Sequence, residues 1–301
     1  MKFLVDIEEL NFLHNDKFAQ ELNTKLKIFN TQFKLNITNN FNKKITFAKL
    51  NSHQLRLNIE NSFDYNKKSK KGLLDFKVIN KSKKLNYTLH DNSLSFSTDK
   101  KQFLGSIDFK PFYLKSDLNF NQVDIVKILE NNSLLINLAN SEIFNNKNLN
   151  ANINFFIDKI RRINHLDNLI LRTYFEEGNI LLKDSSARWN DSIIIYLDDA
   201  QVFNENNNSI IAGSVSFNFT DIDNFYKQYQ IKKAYRKKIK KIRLDFLLDI
   251  NEKKIEFDNL KIDGNSNKTA DKFVNNFNLK KKNIFNKIIF KNLIKEFFGN
   301  V

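Results

Sequence analysis

The side chains able to do acid–base, metal or nucleophilic chemistry are few in this chain, and badly spaced. Four histidines, His14, His53, His90 and His165, lie far apart among 301 residues, and no HxxxH or HxH pair offers metal-ligand spacing. His90 and His165 fall at the ends of expected strands, where an ordinary surface histidine sits. Carboxylates come as adjacent pairs, Glu8-Glu9, Glu176-Glu177 and Asp198-Asp199. Neighbours on a strand point to opposite faces, so such a pair does not share a proton as a catalytic dyad does. Asp184 before Ser185-Ser186 reads as a turn, its side-chain oxygens capping backbone amides. The absence of cysteine excludes disulfides, zinc–thiolate sites and cysteine nucleophiles. The six glycines, Gly72, Gly105, Gly178, Gly213, Gly264 and Gly299, build no GxSxG elbow, P-loop or GxGxxG cradle. The residues therefore point to a protein that is not an enzyme and uses no metal or cofactor.

One constellation of charge stands apart. The run from Lys232 to Arg243 holds eight basic residues, within a chain whose formal net charge is +15. Read as part of a helix over about 221–241, it places Tyr235, Ile239 and Ile242 on a narrow stripe surrounded by cations. Three readings compete: a solvated helix pinned by those apolar residues, a helix on an anionic membrane surface, or a nucleic-acid-binding helix. The membrane reading uses Lys232, Lys233, Arg236, Lys237, Lys240 and Lys241. The nucleic-acid reading is the least favoured, since no RNP, KH or helix-turn-helix pattern accompanies the run. Lys, Asn, Ile and Phe are enriched while Pro, Gly, Ala and Trp are scarce, so AT-rich coding bias accounts for much of the charge.

The elements that must position these residues are announced by alternation. Leu55, Leu57 and Ile59 alternate with polar residues, as do Leu85, Tyr87 and Leu89, then Ala151, Ile153, Phe155 and Ile157, and Val215, Phe217 and Phe219. A period of two places these side chains on one face of a strand. Strands are expected at about 3–12, 22–37, 43–50, 54–60, 72–80, 84–90, 93–97, 102–109 and 112–120. More follow at about 148–160, 167–176, 179–184, 192–199, 200–204, 209–220, 242–250, 253–258 and 259–262. With one Pro and so few Gly, Asn, Asp, Ser and Lys must make the turns. Gly72-Leu-Leu-Asp-Phe-Lys77 is echoed by Gly105-Ser-Ile-Asp-Phe-Lys110, each after a lysine-rich turn.

Helices are expected at about 121–144, with Asn121 as cap, at 221–241 behind Thr220 or Asp221, and at 271–277. The amphipathic tail, about 283–298, sets Phe285, Ile288, Ile289, Leu293 and Phe297 against Lys287, Lys291, Lys295 and Glu296. The organisation expected is a meander over 1–120, a helical interruption over 121–144, a second β region over 145–265 and a helical tail over 266–301. The opening residues, interrupted at once by Asp6, Glu8 and Glu9, do not read as a signal peptide. No apolar run reaches the ~18–20 residues that span a bilayer.

Several stretches resemble the AsmA-like C-terminal region of alphaproteobacterial proteins. These are Gly105-Ser-Ile-Asp-Phe-Lys-Pro-Phe-Tyr-Leu114 followed by Ser116-Asp-Leu-Asn-Phe120, Asn148-Leu-Asn-Ala-Asn-Ile-Asn-Phe155, and Leu169 through Leu182. The resemblance spans about residues 70–265. It implies an envelope protein on the periplasmic side of the inner membrane, with a long, curved, taco-like antiparallel sheet. The concave apolar face of such a sheet carries phospholipid acyl chains between membranes and serves outer-membrane biogenesis. Members begin with a transmembrane helix, so the expectation is that this chain is a C-terminal piece or that its start is misplaced.

The fold class expected is thus mainly β, with few short helices and a C-terminal amphipathic helix. The groove candidates are Leu74, Phe76, Ile107, Phe109, Ile153, Phe155, Phe217 and Phe246. The expected partners are phospholipid and, with it, membrane surfaces or envelope proteins. The rival expectation is a scaffold or assembly factor for outer-membrane proteins, with a closed core.

Overall fold

The alternation is answered by a mainly β protein. A computed structural model describes residues 5–15, 19–28, 31–64, 70–78, 81–124, 146–161, 163, 165–205, 208–250, 252, 254–280 and 287–300. Hydrogen bonds join nineteen strands in one long sheet. Two compact units divide the chain: residues 1–119, 130–153 and 175–178, and residues 120–129, 154–174 and 179–301.

The first unit is a meander. Its strands are β1 (Val5–Asn15), β2 (Ala19–Ile28), β3 (Thr31–Asn40), β4 (Ile45–Ser52), β5 (Leu57–Asp64), β6 (Lys71–Val78), β7 (Lys81–Leu89), β8 (Ser93–Ser97) and β9 (Phe103–Phe109). Each pairs antiparallel with the next, and β9 pairs with the start of β10 (Phe112–Val123). The register sorts side chains cleanly. On one face Leu22, Ile37 and Ala48 are successive cross-strand neighbours, continuing through Asn61 to Leu74 and Leu85. A second row runs Leu10, Thr24, Leu35, Leu50, Ile59, Phe76. In β1 the register shifts between Ile7 and Glu9, a bulge at Glu8. The extra residue brings Val5 and Ile7 onto the same face as Leu10 and Phe12.

The sheet is mixed rather than purely antiparallel. At β10 and β11 (Ala151–Ile160) the Leu114 amide donates to the Asn150 carbonyl at 3.0 Å, and the Arg161 amide donates to the Val123 carbonyl at 2.8 Å. Both bonds advance in the same direction along the two strands, so these strands run parallel. The helix expected at 121–144 is corrected at its start: Asn121 lies inside β10, and residues 125–145 lie outside the described residues.

The second unit continues with β12 (Leu166–Glu176), β13 (Asn179–Leu182), β14 (Ser185–Trp189), β15 (Ile193–Glu205), β16 (Asn208–Phe219), β17 (Lys241–Asp249), β18 (Lys254–Ile262) and β19 (Asn265–Ser266). Its helices are α1 (Ile222–Gln228), α2 (Lys268–Lys280) and α3 (Lys287–Asn300). Asp221 caps α1 by accepting from the Asn224 amide at 2.9 Å, and Asn267 caps α2 by accepting from the Thr269 amide at 2.9 Å.

Four expectations for this unit change, one being that the strands expected at 253–258 and 259–262 are the single strand β18. The strands expected at 192–199 and 200–204 are one strand, bulged between Asp198 and Gln201 where Asp199 takes a φ of 48°. Asp184 does turn, at φ 49°, but Ser185-Ser186 open the unexpected strand β14. The helix expected over 221–241 ends at Gln228. Beyond it come a 3-10 turn at Lys233–Tyr235 and extended chain into β17.

The core sits where helices cover sheet. Ala187, Ile195, Phe217, Ile242 and Ile262 form a cross-strand row. Over it pack Phe225, Tyr226 and Tyr229 of the α1 segment, Ala270 and Val274 of α2, and Phe297 and Phe298 of α3. The rings meet edge to face, for example Tyr226 and Phe298 at 5.1 Å between centroids. In β1–β9 and their turns the contrast is plain: Phe33 and Leu55 are the buried hydrophobic residues among those described.

Candidate functional site

The apolar face of the first unit is built from the rows described above. Direct opposition and alternation extend it from Leu85 and Tyr87 to Phe96 and Leu94, then to Ile107 and Leu114. Leu74, Phe76, Ile107 and Phe109 therefore share one face. The first three are half-buried and Phe109 is exposed. On β1, Val5, Ile7, Leu10 and Phe12 are 40–59% exposed.

The residue echo acquires a structural meaning on this face. Gly72 lies directly opposite Tyr87, and Gly105 directly opposite Phe96. A Cβ on Gly72 would meet the Tyr87 ring at 2.2 Å, and one on Gly105 would meet Phe96 at 2.7 Å. Each glycine lets the ring of its cross-strand partner lie flat on the sheet. Tyr87 is fixed there by donating to Asn61 Oδ1 at 2.7 Å, and burial pushes its phenol above the usual range.

Of the remaining groove candidates, Ile153 and Phe155 lie on β11 and are half-buried. Phe217 packs into the second unit's closed core, 6.4 Å from the Trp189 ring. Phe246 lies on the same face, half-buried, opposite Gly213 and Phe257. Leu74, Phe76, Ile107 and Phe109 thus share a face within the first unit, and Phe217 and Phe246 share one within the second.

The basic run is brought together differently from the helical expectation. Lys232, Lys233, Lys237, Lys240 and Lys241 are exposed and Arg236 is half-buried, while Ile231, Ile239 and Ile242 are buried beneath them. Tyr235, expected on the apolar stripe, is exposed. Tyr226 holds the segment by donating its hydroxyl to the Lys237 carbonyl at 2.7 Å, and Arg236 Nε donates to the Ile231 carbonyl at 3.0 Å. The cations are therefore presented by an extended, pinned chain.

Two cavities carry polar side chains from the opposite face. In the first unit Lys25, Lys34, Asn51, Asn58 and Lys77 are successive cross-strand neighbours and line a cavity of about 620 Å³ with Arg56 and His53. Glu9 pairs with Lys25 at 2.5 Å, which holds its carboxyl below the usual range. In the second unit Ser214, Lys241, Arg243, Asp245, Asn259, Lys261 and Gly264 line about 630 Å³. The Ser214 hydroxyl, the Asn259 amide and the charges of Arg243 and Lys261 hold the Asp245 carboxyl below its ordinary value. Among the described residues no group of three or more His, Asp or Glu is placed to hold a metal ion.

Sequence reasoning passed over two features. Trp189 and Tyr229 are joined in the core by an indole N–H donated to the phenol oxygen at 2.8 Å. Phe225, Tyr226 and Tyr229, spaced for one helical face, carried that signal. The second cavity became visible only with the β16–β18 register. No family model, curated protein or solved structure matches the chain.

Proposed function

We propose that the chain is a non-enzymatic, AsmA-like envelope protein whose apolar sheet face shields phospholipid acyl chains during transport between membranes and outer-membrane biogenesis. The observation that carries the reading is the first unit's face: rows rich in Leu, Ile and Phe in register, left half-exposed, with Phe33 and Leu55 as the buried hydrophobic residues of β1–β9 and their turns among those described. Each acyl methylene moved from water onto such a surface contributes about 0.8 kcal/mol, so a broad apolar face suffices without specific contacts. The exposed cations Lys232, Lys233, Lys237, Lys240 and Lys241, with Arg236, suit anionic headgroups at a membrane surface.

A scaffold for outer-membrane proteins is the second reading, favoured by the closed aromatic core of the second unit. The two part on one experiment. Purified protein, extracted and examined by mass spectrometry, is expected to carry phospholipid, and Phe109→Asp and Phe155→Asp are expected to lose it with an unchanged circular dichroism spectrum. A lipid-free wild type, or global unfolding of both variants, would sink the lipid reading in favour of a packed core.

A further inference from the structure

We infer that the polar face of β16–β18 carries a binding site for a phosphate oxyanion, formed by Lys241, Arg243 and Lys261 with Ser214 and Asn259 beside them. Arg243 and Lys261 stand directly opposite each other in the antiparallel ladder, on the same face. Lys241 is two residues along β17 from Arg243 and so shares that face. Like charges directly opposed across strands destabilise a sheet, and here three cations converge. All three border the cavity of about 630 Å³, enough for a phosphate group with part of its hydration shell.

The acids at hand offset the cations only in part: Asp245, on the same cavity, feels the charges of Arg243 and Lys261 but stands in no ion pair with either. Asp245 has both oxygens engaged by neutral donors: Oδ1 accepts from the Ser214 hydroxyl, and Oδ2 from the Asn259 side-chain amide at 2.8 Å. Asp263 Oδ1 accepts from the Lys240 and Lys241 backbone amides at 2.9 and 2.8 Å. Among the described residues none of the three cations stands in an ion pair. An arginine fork grips two phosphate oxygens while lysines act as point charges. A phosphate seated between Arg243 and Lys261 converts their repulsion into two attractions. The chemistry is shared by a phospholipid headgroup and by free phosphate. It does not rest on the acyl-chain reading, because these side chains project from the face opposite Ile242 and Leu244.

The test uses the full chain and two probes. Thermal melts are followed with sodium phosphate exchanged for sodium chloride at constant ionic strength, and binding is measured by calorimetry. Phosphate is expected to raise Tm for wild type. Arg243→Gln and Lys261→Gln are each expected to weaken phosphate binding about tenfold, while Lys232→Gln/Lys233→Gln leaves it unchanged. In chloride alone both single variants are expected to melt close to wild type, since each removes one of two opposed charges together with one attraction to the Asp245 carboxylate. Sedimentation with vesicles of phosphatidylcholine, alone or with one part in five phosphatidate, separates the sources. Phosphatidate-dependent binding that phosphate competes away and Arg243→Gln abolishes identifies a headgroup site. A phosphate response without vesicle binding identifies a free-phosphate site. Equal response to chloride and phosphate, or an undiminished response in both single variants, overturns the proposal and leaves only charge screening.

Discussion

The Trp189–Tyr229 hydrogen bond is the most consequential single contact of the second unit's core. Its indole N–H donates to the Tyr229 hydroxyl deep among rings of Phe217, Phe225 and Tyr229. Tyr229→Phe keeps the ring and removes the acceptor, stranding a buried donor at a cost of about 1–3 kcal/mol. The expected result is a fall in Tm of several degrees with a shift in tryptophan fluorescence. Burial pushes the Tyr226 and Tyr229 phenols above their ordinary value of 10.0. A folded value above the unfolded one gives stability that is full below the unfolded value and lost as pH rises through the folded one. The wild type is therefore expected to lose near-UV ellipticity in alkali above pH 10, and Tyr229→Phe to show a shallower loss there. An identical alkaline profile in both proteins would exclude Tyr229 as a contributor. None of this was legible from the lone tryptophan, because a hydrogen bond across forty residues leaves no local pattern.

Strands were the legible level. Alternation located Ser93–Ser97 to the residue and β9, β12 and β16 to within one position at either end, because a half-buried sheet imposes period two directly on the sequence. It failed where another force held the chain. Ser185–Trp189 has polar residues at its start, and Asp184-Ser185-Ser186 has the pattern of a turn, yet the Ser185 hydroxyl accepts from the Arg172 amide at 2.9 Å, which anchors the strand. The Lys232–Lys241 run carries helix-like spacing, but Ile231, Ile239 and Ile242 are buried from non-helical chain. Tertiary burial there outweighs local propensity. The echoed glycines are a case of the opposite kind, a sequence repeat whose reason only the register reveals. Gly105→Ala would set a Cβ 2.2 Å from the Lys115 carbonyl oxygen as well as against Phe96, so a loss of about 1–3 kcal/mol is expected. Gly299→Ala, in α3 with nothing within 4 Å, is expected to gain about 0.5–1 kcal/mol. Chemical denaturation of the two variants checks both signs.

Across the molecule, burial is distributed unevenly, and this is what the groove candidates depend on. The second unit packs α1, α2 and α3 over its rows, whereas β1–β9 and their turns bury Phe33 and Leu55 among the described residues. Opening free energy follows buried apolar contact, so amides of β15–β17 are expected to exchange with deuterium far more slowly than those of β1 and β2. Comparable protection in both sets would contradict the reading of the first face as an uncovered surface. The sequence showed that a greasy face exists but not which stretches are covered, since Phe76 and Phe217 look alike in a period-two pattern. The parallel β10–β11 step was equally hidden, because alternation is blind to strand direction. The bulge at Glu8 carries a consequence for how such a sheet tolerates insertion and deletion. One extra residue in a strand turns every side chain beyond it to the other face, and β1 already contains one such insertion, with Val5 and Ile7 brought back into phase. Within β1 it has only Val5, Asp6 and Ile7 on its far side. The same single-codon change in the middle of β4 or β5 would invert a row flanked on both sides, so gain and loss of residues in this chain should concentrate near strand ends and in its turns.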